Sequence, residues 1–153
     1  MWRVELASAQ RPAFRETLRQ VLSRYLDQRA EQVELSVDEY GKPRLAGEQL
    51  HFNLSHSGAL ALIAVCRDRE VGVDVERLRP KREAAFYWRW TCHEARVKCL
   101  GTGLGSPLPP DPPPVAVETL EVGPEYAAAV GVTGTASLPL RGWTFDSPHP
   151  KDG

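Results

Sequence analysis

The chain has 153 residues, 42% of them hydrophobic, and a formal net charge of -1. That length suits one compact domain or two small halves packed together, and the apolar share is too high for a disordered chain. The charge balance excludes a global attraction to nucleic acid or membrane, so a charged partner must be met by a local patch.

Met1 to Gln10 lacks the apolar centre of a secretory signal, and the longest apolar stretch, Ala59 to Cys66, is too short to cross a bilayer. A cytoplasmic protein with no nucleic-acid or membrane partner is expected. Cys66, Cys92 and Cys99 cannot all pair, which suits free thiols in a reducing compartment. Cys92-His93 near Cys99 lacks a fourth ligand at zinc spacing.

Along the chain, Trp2 to Leu6 alternates as a short strand. Pro12 fits the first turn of a helix, and Phe14, Leu18, Val21, Leu22, Tyr25 and Leu26 follow at helical spacing. Val33, Leu35 and Val37 alternate with polar residues as a half-buried strand, and Gly41-Lys42-Pro43 breaks it as a turn. Gln49 to Leu54 is expected to be extended. Leu60 to Cys66 reads as a buried strand, joined through the polar turn Arg67 to Glu70 to a hairpin partner, Val71 to Glu76.

Lys81 to Leu100 holds no Gly or Pro and predicts one helix, ended by Gly101, Gly103 and Gly105. Ser106 to Pro114 predicts a stiff extended connector. Strands are expected at Val115 to Val122, Ala127 to Thr135 and Leu138 to Phe145, with residues 147–153 a frayed tail. The fold class is α+β. The order predicts two similar small halves related by a pseudo-twofold, 1–69 and 70–146, each a helix on a short, mainly antiparallel sheet.

Three segments carry chemistry. In Val71-Gly72-Val73-Asp74-Val75-Glu76, strand alternation turns the valines to a core and Gly72, Asp74 and Glu76 to the other face. Two carboxylates two residues apart repel unless a cation sits between them, and hard oxygen ligands suit magnesium or manganese. A solvated acidic face explains the segment equally well. On the later helix, Glu94 and Lys98 share a face, either as a surface salt bridge or as a metal ligand or base beside a phosphate contact. In Phe52-Asn53-Leu54-Ser55-His56-Ser57-Gly58, a loop offering hydroxyls and an imidazole to phosphate competes with a plain polar turn.

Together, Gly41-Lys42-Pro43-x-Leu45, Phe52-Asn53-Leu54-Ser55-His56-Ser57, Gly72-Val73-Asp74-Val75-Glu76 and Trp90-Thr91-x-x-Glu94-Ala95-x-x-Lys98 resemble, in order, the motif set of the 4'-phosphopantetheinyl transferases. The likeness is to the two-half, surfactin-synthetase-activating type and covers roughly residues 10–145. It implies transfer of the phosphopantetheine arm of coenzyme A to a serine of an acyl or peptidyl carrier protein. Fatty acid, polyketide or nonribosomal peptide biosynthesis would be the setting.

By this resemblance Asp74, Glu76 and Glu94 would hold magnesium (or manganese), Glu94 would take the serine proton, and Lys98 would neutralise the pyrophosphate. Lys42, Ser55, His56 and His93 would contact coenzyme A. The pattern departs from the family at His93, where a lysine is usual, and in the short stretch from Pro80 to Phe86. The chain also begins near the family's first long helix. A reduced enzyme, a site completed by another chain, and a non-catalytic binding homologue therefore remain open. A metal-dependent phosphate-ester hydrolase would use the same carboxylates but does not explain the motif order.

Overall fold

A computed structural model describes residues 1–5, 11–39, 41–47, 50–103, 107–136 and 139–145, with only the backbone at 2, 3, 5 and 11–13. The helix expected from Phe14 onward is α1 (Arg11–Ser23). It stops before Leu26 because Arg24 and Tyr25 donate to Val21 and Leu22 carbonyls in the tighter i to i−3 pattern. A 3-10 turn (Ala30–Gln32) then shortens the next strand to β2 (Leu35–Val37), where Val37 is 61% exposed and Val33, outside the strand, is buried. Gly41, with φ of +79°, turns the chain into β3 (Pro43–Leu45).

Four strands form the first sheet. They are β1 (Trp2–Glu5), β4 (His51–Ser57), β5 (Leu60–Cys66) and β9 (Trp143–Phe145), in the order β4-β5-β1-β9. All pairings are antiparallel except β1 with β9. The last strand of the second half thus lies in the sheet of the first. The second sheet has the order β6-β8-β7, with β6 (Val71–Arg77), β7 (Val115–Thr119) and β8 (Tyr126–Thr133) all antiparallel. The architecture is α+β, as the sequence predicts.

Strand β5 is buried on both faces because every residue from Leu60 to Ala64 is apolar. Ala61 and Ile63 join Leu18, Val21, Leu22 and Phe52 in a core beneath α1. Leu60, Leu62 and Ala64 join Val71, Val73, Val75, Ala128, Val130 and Val132 in a second core between the sheets. This corrects the expected β5–β6 hairpin. Both edges of β5 are taken by β4 and β1, so β6 packs across its face and pairs with β8 instead.

The long helix is α2 (Ala84–Leu100), which packs on the far face of the second sheet and ends at Gly101, φ +70°. The proline-rich segment, as far as residues 107–114 are described, forms neither helix nor strand. Gly105, Leu138 and the expected tail 147–153 lie outside the described residues. Among the described residues no helix is long and apolar enough to cross a membrane.

Candidate functional site

The site begins with Gly72. A Cβ there would overlap the Ala95 carbonyl oxygen and the Cys99 amide nitrogen, so its absence lets the backbone of α2 lie directly on β6. The alternation read from the sequence holds: Val71, Val73 and Val75 enter the core, and the other face of β6 meets α2. Asp74 is there brought against the last turn of α2.

Lys98 Nζ donates to Asp74 Oδ1 at 2.6 Å, to the Val73 carbonyl at 3.3 Å and to Ser55 Oγ at 3.2 Å. The lysine therefore reaches across to the strand rather than along its helix to Glu94, which replaces the surface salt bridge between those two as an explanation of their spacing. Asp74 is buried, and its second oxygen, Oδ2, has no hydrogen-bond partner. An orphaned carboxylate oxygen in a buried position is costly unless a donor or cation meets it.

Glu94 is also buried. Burial, and then the charge of Asp74, push its carboxyl above the ordinary range, with Glu76 adding to the rise and Lys98 and His93 opposing it. Glu76 is half-buried; burial and the Asp74 charge raise it likewise, against a hydrogen bond from Ser57. Three carboxylates thus feel one another. Among the described residues no three His, Cys, Asp or Glu side chains are grouped so as to hold a metal ion. The donor chemistry fits a hard divalent cation and Asp74 Oδ2 is free to meet it, but the side chains do not enclose one as they stand.

The Ser55-His56-Ser57 segment is strand, not loop. It pairs fully with β5, and alternation splits it between two environments. His56 is exposed on the side of α1, with its ring 6.3 Å from that of Phe14. Asn53, Ser55 and Ser57 face β6, the edge strand of the second sheet. Their side-chain oxygens accept from the amides of Val73 at 2.9 Å, Val75 at 3.2 Å and Arg77 at 3.0 Å. This ladder seals one sheet edge to the other without backbone pairing.

Lys42 Nζ donates to the Lys98 carbonyl at 3.2 Å, a favourable place for a cation at a helix C-terminus. It also lies 3.6 Å from Glu70. Burial, its largest influence, lowers the Lys42 pKa, while Glu70 opposes the fall. Glu70 is further met by Arg44 at 3.3 Å and His51 Nδ1 at 3.1 Å. Burial alone would raise Glu70, but the charges of Lys42, His51 and Arg44 outweigh it and hold the carboxyl low.

His93 is exposed on α2, its ring 6.4 Å from that of Trp90, and among the described residues it has no hydrogen bond or ion pair to Asp74, Ser55, Lys42 or Lys98. Trp90 in turn stacks on Phe86, and Arg82 lies 4.3 Å over the Phe86 ring. The structure therefore joins Asp74, Lys98, Ser55 and Lys42 through direct contacts, couples Glu76 and Glu94 to them by charge, lets His93 reach the group only through its charge on Glu94, and leaves His56 on the α1 side. Asn53 and Ser57 lie in a segment the sequence marks as chemically active, but their roles as acceptors for β6 amides, and the part played by Glu70, are not visible from composition. The spacing of Asn53, Ser55 and Ser57 by two was the available signal for the first pair.

Cys99 is buried, its thiol 3.3 Å from the Glu70 carbonyl and pushed up to about 11 by burial. It is a packing residue, and Cys66 and Cys92 are free as well.

No protein-family model matches the chain. Curated proteins do. The 4'-phosphopantetheinyl transferase HetI of a Nostoc species is 34% identical over 122 residues, 60% of this chain and 52% of that protein. The 4'-phosphopantetheinyl transferase Sfp of Bacillus subtilis is 28% identical over 155 aligned positions, covering 74% of this chain and 69% of Sfp. The 4'-phosphopantetheinyl transferase AcpT of Salmonella typhi is 36% identical over 95 residues, 44% of this chain and half of AcpT (50%). The chain spans about half the length of the first of these relatives. The ordered motifs meet between β6, β4 and α2, and the chain is similar there to 4'-phosphopantetheinyl transferases, Sfp among them.

Proposed function

We propose that the protein transfers the 4'-phosphopantetheine arm of coenzyme A to a serine of an acyl or peptidyl carrier protein in the cytoplasm. The observation that carries this reading is the meeting of Asp74, Lys98 and Ser55 beside two further carboxylates whose protons are held more tightly than usual. The serine oxygen would form a bond to the pyrophosphate phosphorus next to the pantetheine arm. The bond from that phosphorus to the bridging oxygen would break, with 3',5'-ADP as the leaving group.

Glu94, buried and therefore a stronger base than an ordinary carboxylate, would accept the serine proton directly or through water. Lys98 would turn from Asp74 to the pyrophosphate when the substrate arrives. Lys42 and Ser55 would contribute to coenzyme A binding from beside Lys98, and His56 and His93 from the rim. Asp74, Glu76 and Glu94 would hold magnesium, which would neutralise pyrophosphate charge. Residues 1–69 and 70–146 would act as two halves flanking the site.

Incubation with coenzyme A, magnesium and a panel of apo carrier proteins tests the proposal. The carrier mass should rise by one phosphopantetheine unit, and a chelator should prevent it. The direct Asp74–Lys98 pair favours one competing reading, a homologue that binds coenzyme A or the carrier without catalysis. Coenzyme A binding with no mass change in any carrier would assign that reading instead.

A further inference from the structure

We propose that Ser57 is a positioning residue for Glu76, fixing its carboxylate for the divalent cation; the inference rests on the cation reading above. A serine hydroxyl has one proton and two lone pairs. Ser57 Oγ accepts from the Arg77 amide at 3.0 Å, so its proton is free to go to Glu76 Oε2 at 3.3 Å.

The same arrangement occurs two residues earlier. Ser55 Oγ accepts from the Val75 amide at 3.2 Å and donates to Asp74 Oδ1 at 3.0 Å. Each serine of β4 therefore receives one amide from β6 and gives its proton to the carboxylate just before that amide. Strand register, rather than chance rotamers, sets both contacts. The two carboxylates differ in what else holds them. Asp74 has Lys98 as well, whereas no other hydrogen bond or ion pair to Glu76 occurs among the described residues. Glutamate has three side-chain torsions to restrain, so losing its donor should cost more in ligand geometry than losing one of several donors to Asp74.

The rival role is structural: Ser57 could simply satisfy the edge amide of Arg77. Binding of Mn2+ to the full chain in the presence of coenzyme A, followed by electron paramagnetic resonance, separates the two. Ser57→Ala should weaken Mn2+ binding by about 10-fold, the lower end of what loss of an outer hydrogen bond to a metal ligand costs. Ser57→Thr, which keeps the hydroxyl, should restore it. In a Glu76→Ala background, Ser57→Ala should then change Mn2+ binding less than about twofold, because the route through the glutamate is already gone.

If Ser57→Ala does not fold, Ser57→Cys, a close isostere with a weak donor, takes its place in the same cycle. Unchanged Mn2+ affinity on removing the hydroxyl, or an undiminished loss in the Glu76→Ala background, overturns the inference while leaving the cation reading intact. A parent protein that binds no Mn2+ with coenzyme A present overturns the cation reading, and this inference with it.

Discussion

Lys98 Nζ stands 2.6 Å from Asp74 Oδ1 and so ties the last turn of α2 to the middle of β6. The Asp74 side chain is only 6% exposed, against 20% for Lys98. Removing the lysine leaves a buried carboxylate unpaired. Lys98→Met should destabilise the metal-free protein by about 2–4 kcal/mol, somewhat below the range for a fully buried pair. Adding Asp74→Asn should recover most of that loss. Urea unfolding of the single and double variants checks both outcomes. The pair also means that Asp74 is compensated before any cation arrives, so Asp74→Ala should not raise stability, although it should abolish transfer.

Glu94→Gln keeps the shape of the side chain and removes its basicity. Transfer should fall about 10²-fold or more, as for loss of a positioned base. A change confined to the Michaelis constant would assign Glu94 to binding.

The raised carboxyls of Glu76 and Glu94 also have a stability consequence in the metal-free protein. Each holds its proton more tightly folded than unfolded, so folding is favoured as the pH drops through the folded-state value. Stability should therefore rise as pH falls from neutral toward the window just above the usual carboxylate range, about 4.3 for glutamate. Glu94→Gln should flatten that rise. Thermal unfolding between pH 7 and 5, without divalent ions, measures it.

Glu70 has the opposite sign. Its carboxyl is held below the ordinary value, so its contribution is present above the unfolded-state pKa and is lost as pH falls through the folded one. Glu70→Gln should weaken folding near neutrality and reduce the acid-side loss between pH 5 and 3. Because Glu70 is 34% exposed, each ion pair should contribute no more than about 0.2–1 kcal/mol. Denaturation midpoints across that range, at low and high salt, provide the check.

Of the basic strip Arg77, Arg79, Lys81 and Arg82, Arg77 ends β6 and lies 3.6 Å from Glu125, the other three are exposed just beyond it, and Arg82 lies over the Phe86 ring. If the carrier is acidic around its modified serine, these cations steer it. Reversing Arg79 and Arg82 to Glu should slow carrier association and flatten its salt dependence. An effect on coenzyme A affinity alone would assign the strip to that substrate.

Local periodicity made much of this legible in the sequence. Helical spacing marks α1, the absence of Gly and Pro marks α2, an unbroken apolar run marks β5, and alternation gives the facing pattern of β6. Strand partnership does not. Nothing in Arg67 to Glu70 distinguishes a hairpin from a crossing between sheets, because the choice is made by β1 and β8 elsewhere in the chain. The partner of Lys98 was hidden for the same reason: helical spacing suggests Glu94, whereas Gly72 lowers α2 far enough for Asp74 to compete and win. The run of hydroxyls and an imidazole at Ser55, His56 and Ser57 suits a phosphate-binding loop or a polar turn by composition alone. Here the edge amides of β6 require the two hydroxyls.

Because β5 is a wall common to both cores, fragments 1–69 and 70–146 should not fold independently. Cutting between residues 69 and 70 would strip Leu60, Leu62 and Ala64 of their cover on one fragment and Val71, Val73 and Val75 on the other. Each piece would present a sticky sheet face, and β9 would be parted from the strand it borrows, β1. The two halves should melt in a single step, and a split protein should regain its shape only when both fragments are made together.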